Sequence, residues 1–185
     1  GFVAIGNESL QRVDEDLYHN IQKNNPGFHS TLDDYLQYAP GAAVYILNAT
    51  GIKGRHNFRD RTFIYLLSNV FTLAFTRSVK KITKVPRPDT GAPNSFPSGH
   101  TTFAFSSAYF LHQEYKHRSH WYGVAGYSVA TATGLLRMLN NRHWFKDVVA
   151  GAGFGILSGQ LAYLLYPKIK KWLFKEKTPG MAAVF

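Results

Sequence analysis

No stretch of this sequence alternates apolar and polar residues long enough to make a strand, whereas apolar residues recur at helical spacing along most of the chain. That pattern restricts the fold to helices packed on helices, an all-α bundle. Leu10, Val13, Leu17 and Ile21 mark a first helix, with Asp and Gln between them, and Pro26-Gly27 ends it. Ser30 or Thr31 caps a short second helix holding Leu32, Tyr35, Leu36 and Tyr38. Pro40-Gly41 breaks again before a buried apolar helix over Ala42 to Asn48, and the basic turn "GIKGRHNFRDR" follows. Phe63 to Ile82 predicts a long helix that must end near Val85, because Pro86 and Pro88 resist helical continuation. Further helices are expected over Thr101 to Glu114, Tyr122 to Leu139 and Trp144 to Leu165, with a basic helical tail from Pro167 to Lys177. Without internal repeat or interdomain linker, residues 1–185 read as a single domain.

Charge and hydropathy narrow the partners. Lysines and arginines number 21 against 11 acids, for a net charge of +10, which favours anionic partners. No nucleic-acid-binding module is recognisable, so nucleic acid is not expected among them. The chain has no cysteine, which excludes a disulfide framework and any thiolate metal or redox site. Trp121 to Leu136 and Val148 to Tyr166 carry no charge, and the second is about long enough to cross a bilayer. Both are diluted with Gly, Ala, Ser and Thr. The mean hydropathy of −0.20 favours a soluble or peripheral bundle over an integral one. The tail combines Lys168, Lys170, Lys171, Lys175 and Lys177 with Trp172, Leu173 and Phe174. This suits an interfacial helix on an anionic membrane surface, or a solvated basic helix packed by its aromatic face.

Three clusters carry chemistry. In "KKITKVPRP", Lys80 near a helix end and Arg87 in the loop beyond it bring two cations together, with Pro88 next. A phosphate uses such a pair, Lys as a point charge and Arg as a planar fork. Taken alone, the same cations would do no more than complement a helix dipole. In "NSFPSGHTTFAF", Gly99 lets backbone N–H groups approach a ligand, Ser98 adds a hydroxyl, and a helix N-terminus points at the same place. His100 stands at the rim of that anion site as a proton donor or acceptor. Alone, Ser98 would be an N-cap and His100 an ordinary first-turn residue. In "RMLNNRHWFKD", Arg137, His143 and Asp147 follow R-x5-H-x3-D. His143 and Asp147 are four apart and share one helical face. The carboxylate would fix the imidazole tautomer and leave the other nitrogen free as a nucleophile. Alone, they would be a surface helical pair.

Together and in this order, K-x6-R-P, P-S-G-H and R-x5-H-x3-D resemble the type 2 phosphatidic acid phosphatase (PAP2) superfamily, which includes bacterial class A acid phosphatases, lipid phosphate phosphatases and vanadium haloperoxidases. The resemblance covers Lys80 to Asp147, a motif core of residues 80–147. Leu136 departs from it, since the family usually has Ser before the third-motif Arg, and the loop between the first two motifs is short.

The resemblance implies a helical bundle of the PAP2/acid phosphatase type. Its reaction would be metal-independent hydrolysis of phosphate monoesters or diphosphates, on lipids, with no cofactor. His143 would attack phosphorus and carry a phosphohistidine, Asp147 would hold its tautomer, and His100 would protonate the leaving alkoxide. Lys80, Arg87, Ser98, Gly99 and Arg137 would bind the phosphate oxygens. The acids are few and scattered, and no metal-carboxylate cluster is evident. The expected partners are a phosphorylated lipid and a membrane surface, and the expected location is the cell envelope, on its periplasmic or extracytoplasmic face. Two other readings use the same anion pocket: a vanadate-dependent haloperoxidase, with His143 on vanadate, and a non-catalytic phosphate-binding bundle.

Overall fold

A computed structural model describes residues 8–173. Seven helices and no strand are present among them: α1 Glu8–Asn24, α2 Leu32–Leu36, α3 Ala39–Ala49, α4 Phe58–Thr83, α5 Gly99–Tyr115, α6 Trp121–Leu139 and α7 Phe145–Leu173. The all-α bundle is the expected class, but several boundaries move. Pro40 does not break a helix. It lies in the first turn of α3, where its missing N–H is not needed. Tyr38 lies outside α2, between it and α3. Helix α4 starts earlier than its apolar run, because the Asn57 side chain accepts from the Asp60 N–H and caps it. Pro167 sits inside α7, so the helix runs on to Leu173 and the basic tail is its continuation. Phe174, Lys175 and Lys177 lie outside the described residues.

Helix α5 runs through the middle, against α6 and α7 and, on its other sides, α3 and α4. Its sequence explains this position. Ala104, Ser106, Ser107 and Ala108 are all fully buried small residues, which let neighbouring backbones approach closely. A Cβ added to Gly151 of α7 would lie 2.8 Å from the Ser98 carbonyl, so glycine is required where α7 crosses the start of α5. Towards the far end of α5 the core turns aromatic, with Phe110 and Tyr115 packed on Val44, Ile64, Ala162 and Tyr166.

Two ends result. The C-termini of α4 and α6 and the N-termini of α5 and α7 meet at one end. The other end holds the α3–α4 and α5–α6 connections, tied by Arg55 N–H to the Glu114 carbonyl (2.9 Å) and Arg118 Nε to the Lys53 carbonyl (2.7 Å). Between the ends the outward faces are apolar. Leu66 and Val70 of α4, Val124 and Leu135 of α6, and Val149 and Leu164 of α7 are each more than half exposed. Of the apolar part of α7 only 28% is buried, and α7 alone among the described helices is long and apolar enough by itself to cross a membrane. The small-residue segments therefore turn part of their surface outwards rather than being wholly hidden inside the bundle. The whole-chain average conceals this because charge is concentrated at the two ends.

Candidate active site

The site is built at the end where the three motifs converge. Helix α4 stops at Lys84, whose left-handed backbone (φ 47°) turns the chain while its N–H bonds the Lys80 carbonyl (3.1 Å). The loop then folds back, with Ser95 N–H on the Val85 carbonyl (2.9 Å). Lys80 Nζ donates to the carbonyls of Asn94 and Ser95, the latter at 3.0 Å, and Arg87 Nε donates to Asn94 Oδ1 at 2.6 Å. The two first-motif cations thus clamp the loop that carries the second motif. Asn94 and Ser95 had no role in the sequence reading.

Ser98 is fully buried and caps α5, accepting from Thr101 Oγ1 at 2.9 Å and from the Thr101 N–H. Its N–H donates to the Asp147 carbonyl (3.0 Å), which fixes the start of α5 to the start of α7. The helix begins at Gly99, ahead of His100. A Cβ there would meet Thr76 at 3.7 Å, an ordinary contact, so protein packing does not explain the glycine. Without a Cβ, the backbone at this helix start is open to close approach from outside.

His143 lies just before α7 rather than within it, yet reaches Asp147 as the spacing predicts. Both are buried, so they are not a surface pair. His143 Nδ1 is 3.3 Å from Asp147 Oδ2 and 3.3 Å from Ser95 Oγ, and Ser95 Oγ itself donates to Asp147 Oδ2. The Trp144 N–H adds a bond to the same oxygen (3.0 Å). A carboxylate facing Nδ1 holds the proton there and leaves the lone pair on Nε2. Burial, with Lys80 and Arg137 adding to it, outweighs the carboxylate and pulls His143 down to about 4, so the ring is neutral at physiological pH.

Arg137 is buried at the end of α6. Its Nη1 donates to Asp33 Oδ2 at 2.6 Å, while its Nε has no partner. Burial, together with Arg87 and Arg137, lowers Lys80 to about 8, and burial with Arg137 lowers Arg87. Lys80 and Arg87, each lowered by burial and by its cationic neighbours, and the Arg137 Nε without a partner make this end suited to an anion.

His100 stands in the first turn of α5, with Nε2 2.8 Å from Asp34 Oδ1. Burial, and secondarily Arg137, keep it below its ordinary 6.5 against the opposing pull of Asp34 and Asp33. The structure thus brings all eight sequence-predicted residues to one end and adds Ser95, Asp33 and Asp34. Asp33, Asp34 and His100 offer ligand atoms within 4.8 Å of one another, a spacing that could hold a cation. The carboxylates there already carry Arg137 and His100. No sequence signal linked "LDDYL" to the motifs.

The family model of the PAP2 superfamily matches residues 61–171. The chain belongs to the PAP2 superfamily. Among its relatives are a lipid A 1-phosphatase of Porphyromonas gingivalis, 42% identical over 155 residues (82% of this chain, 33% of the relative), and the bacitracin transport permease protein BcrC of Bacillus licheniformis, 34% identical over 76 residues (41% of this chain, 36% of the relative). The chain spans about a third of the length of these relatives. Two solved PAP2-type folds are similar. Aquifex aeolicus LpxE has a TM-score of 0.59 at 20% identity, covering 79% of this chain and 93% of that one. The transmembrane phosphatidylglycerolphosphate phosphatase of Bacillus subtilis has a TM-score of 0.63 at 23% identity, covering 92% of each chain. Both likenesses support the PAP2 helical architecture.

Proposed function

We propose that this chain is a PAP2 phosphatase that removes phosphate from a lipid phosphate monoester or diphosphate through a phosphohistidine. The observation that carries this reading is the Asp147–His143 pair, with Nδ1 engaged by Asp147 and Ser95 and the ring close enough to Lys80 and Arg137 to feel their charge.

Nε2 attacks phosphorus and the bond to the leaving oxygen breaks. His100 gives that oxygen a proton. Asp147 balances the positive charge that the phosphorylated ring acquires. Water then attacks phosphorus, giving its proton to His100, and Nε2 departs with phosphate released. Lys80, Arg87, Arg137 and the N–H groups at Ser98–Gly99 neutralise the equatorial oxygens throughout. The charge needed for this step is supplied by side chains.

The substrate class follows from the apolar flanks. A bundle whose long faces are aliphatic, with its reactive groups at one end, meets phosphates at the surface of a bilayer. The uncharged stretches 62–76, 101–113, 121–136 and 148–166 would lie in the membrane. Basic residues flank both ends, with Lys53, Arg55, Arg59, Lys116, Arg118, Lys168 and Lys171 opposite the site and Lys80, Lys81, Lys84, Arg87, Arg137, Arg142 and Lys146 beside it, which suits a bundle held between two polar membrane surfaces. Trp172, which is 78% exposed near the basic end of α7, fits an interfacial anchor. The lipid A 1-phosphatase relative from Porphyromonas gingivalis makes lipid A the first substrate to try.

The test uses the purified chain in detergent, with phosphate release measured from lipid A in mixed micelles and from an aryl phosphate. His143→Ala should retain less than a few per cent of turnover and still bind orthovanadate. Hydrolysis by that variant near the wild-type rate would remove the nucleophile and with it the proposed reaction.

A further inference from the structure

Helix α2 is five residues long, yet two consecutive carboxylates in it reach the site. Asp33 is 1% exposed and pairs with Arg137. Asn140, just past α6, locks the same segment. Its Oδ1 accepts the Ser30 N–H (2.8 Å), and its Nδ2 donates to the Ser30 carbonyl (2.8 Å) and to Asp33 Oδ1 (3.0 Å). The start of α2 is therefore bolted to the end of α6, and Asp34, the next residue, is carried to one place over the start of α5. There it meets His100 Nε2 at 2.8 Å.

Asp34 is half exposed, and an exposed imidazole–carboxylate contact contributes little to stability. An anchor this elaborate for such a contact points to placement rather than to holding the fold. Placing His100 opposite a carboxylate has two chemical effects. It assigns the Nε2–H to Asp34, so that Nδ1 is the nitrogen that exchanges a proton with substrate, and it favours the imidazolium that a general acid must be.

We propose that Asp34 is a positioning residue for His100, so that the site holds two carboxylate–imidazole couples, Asp147–His143 for the nucleophile and Asp34–His100 for the acid. The proposal rests on the reading of His100 as the acid. In the forward step the Nδ1–H proton passes to the leaving oxygen as the P–O bond breaks. The Nε2–H stays on Asp34, and Nδ1 then accepts the proton of the attacking water. The charged groups that face His100 are Asp34 and Asp33 from α2 and Arg137 from α6. Asp34 thus offsets the guanidinium that opposes protonation.

The experiment compares wild type, Asp34→Asn, Asp34→Ala, Asp34→Glu and His100→Ala, each as the full chain in detergent, on an alkyl and an aryl phosphate. A general acid contributes about 10²–10⁴-fold, and its alignment should account for about tenfold of that on the alkyl ester. Asp34→Asn keeps an acceptor but loses the charge. It should lower alkyl turnover about tenfold, leave aryl turnover within about threefold, and move the alkaline limb of kcat/KM to lower pH. Asp34→Ala should lose more and Asp34→Glu should recover part. In the His100→Ala background, Asp34→Asn should add nothing.

Alkyl turnover within twofold of wild type with an unmoved limb would overturn the proposal, as would full additivity with His100→Ala. If His100→Ala loses equally on both esters, the acid reading itself falls and Asp34 falls with it. If His100→Ala discriminates between the esters and Asp34→Asn does not, only the Asp34 proposal falls. Melting temperatures within a few degrees of wild type separate these effects from unfolding.

Discussion

Replacing Asp147 by Asn is the sharpest probe of the nucleophile. The substitution is nearly isosteric, and an amide oxygen can still accept from Ser95 Oγ and the Trp144 N–H. What it removes is the charge beside Nδ1, and the amide nitrogen can present a donor where an acceptor was needed. The ring then favours the Nε2–H tautomer, whose attacking nitrogen is blocked. The magnitude follows from the geometry. At 3.3 Å, and at the effective dielectric suited to protein sites, a full imidazolium charge and the carboxylate attract by about 5 kcal/mol. In the transition state between half and all of that charge has formed on the ring, so the variant should lose about 10²–10⁴ in kcat. That range overlaps the loss seen when the carboxylate of a serine-protease triad is neutralised. Steady-state hydrolysis of an aryl phosphate measures it, with orthovanadate binding as the check that the anion pocket survives. A variant that keeps more than about a tenth of wild-type kcat would refute the role of Asp147, since that allows only about 1.4 kcal/mol for a fully buried charge.

The pH dependence of kcat/KM should be bell-shaped and lie on the acid side. His143 works neutral, so activity falls as pH drops through about 4, while His100 works protonated and is held below 6.5, so activity falls as pH rises through that lowered value. An optimum above pH 8 would reverse one of the two assignments. Gly151→Ala should destabilise by about 1–3 kcal/mol, because the new methyl meets the Ser98 carbonyl at 2.8 Å and a backbone atom cannot step aside. Gly153→Ala, which meets nothing within 4 Å, should leave thermal unfolding in detergent at or above wild type. Extraction of membranes expressing the chain should need detergent, with high salt or alkaline wash leaving it in the pellet; release by salt alone would restore the peripheral arrangement.

The sequence by itself determined the fold class and the centre of the chemistry. Helical periodicity and the Pro and Gly breaks are local properties, and they placed six of the helices to within a few residues; the seventh joins the expected Trp144–Leu165 helix and the expected basic helical tail without a break at Pro167. The motif residues were legible because each carries a side chain or backbone freedom that phosphate chemistry requires, at a spacing that local structure preserves. His143 and Asp147 meet across four residues wherever the helix happens to start.

Only tertiary structure decided what those residues lean on. Ser95 reaches Asp147 from 52 residues away, and Asp33 reaches Arg137 from 104. Such contacts leave no trace in periodicity, because they depend on how loops from separate helices close on one another. The outward face of the bundle belongs to the same class. Mean hydropathy sums over the chain without regard to direction, whereas a membrane responds to which face of each helix is turned outwards. That direction was settled only when α5, lined with small residues, took the centre and left the aliphatic sides of α4, α6 and α7 facing out.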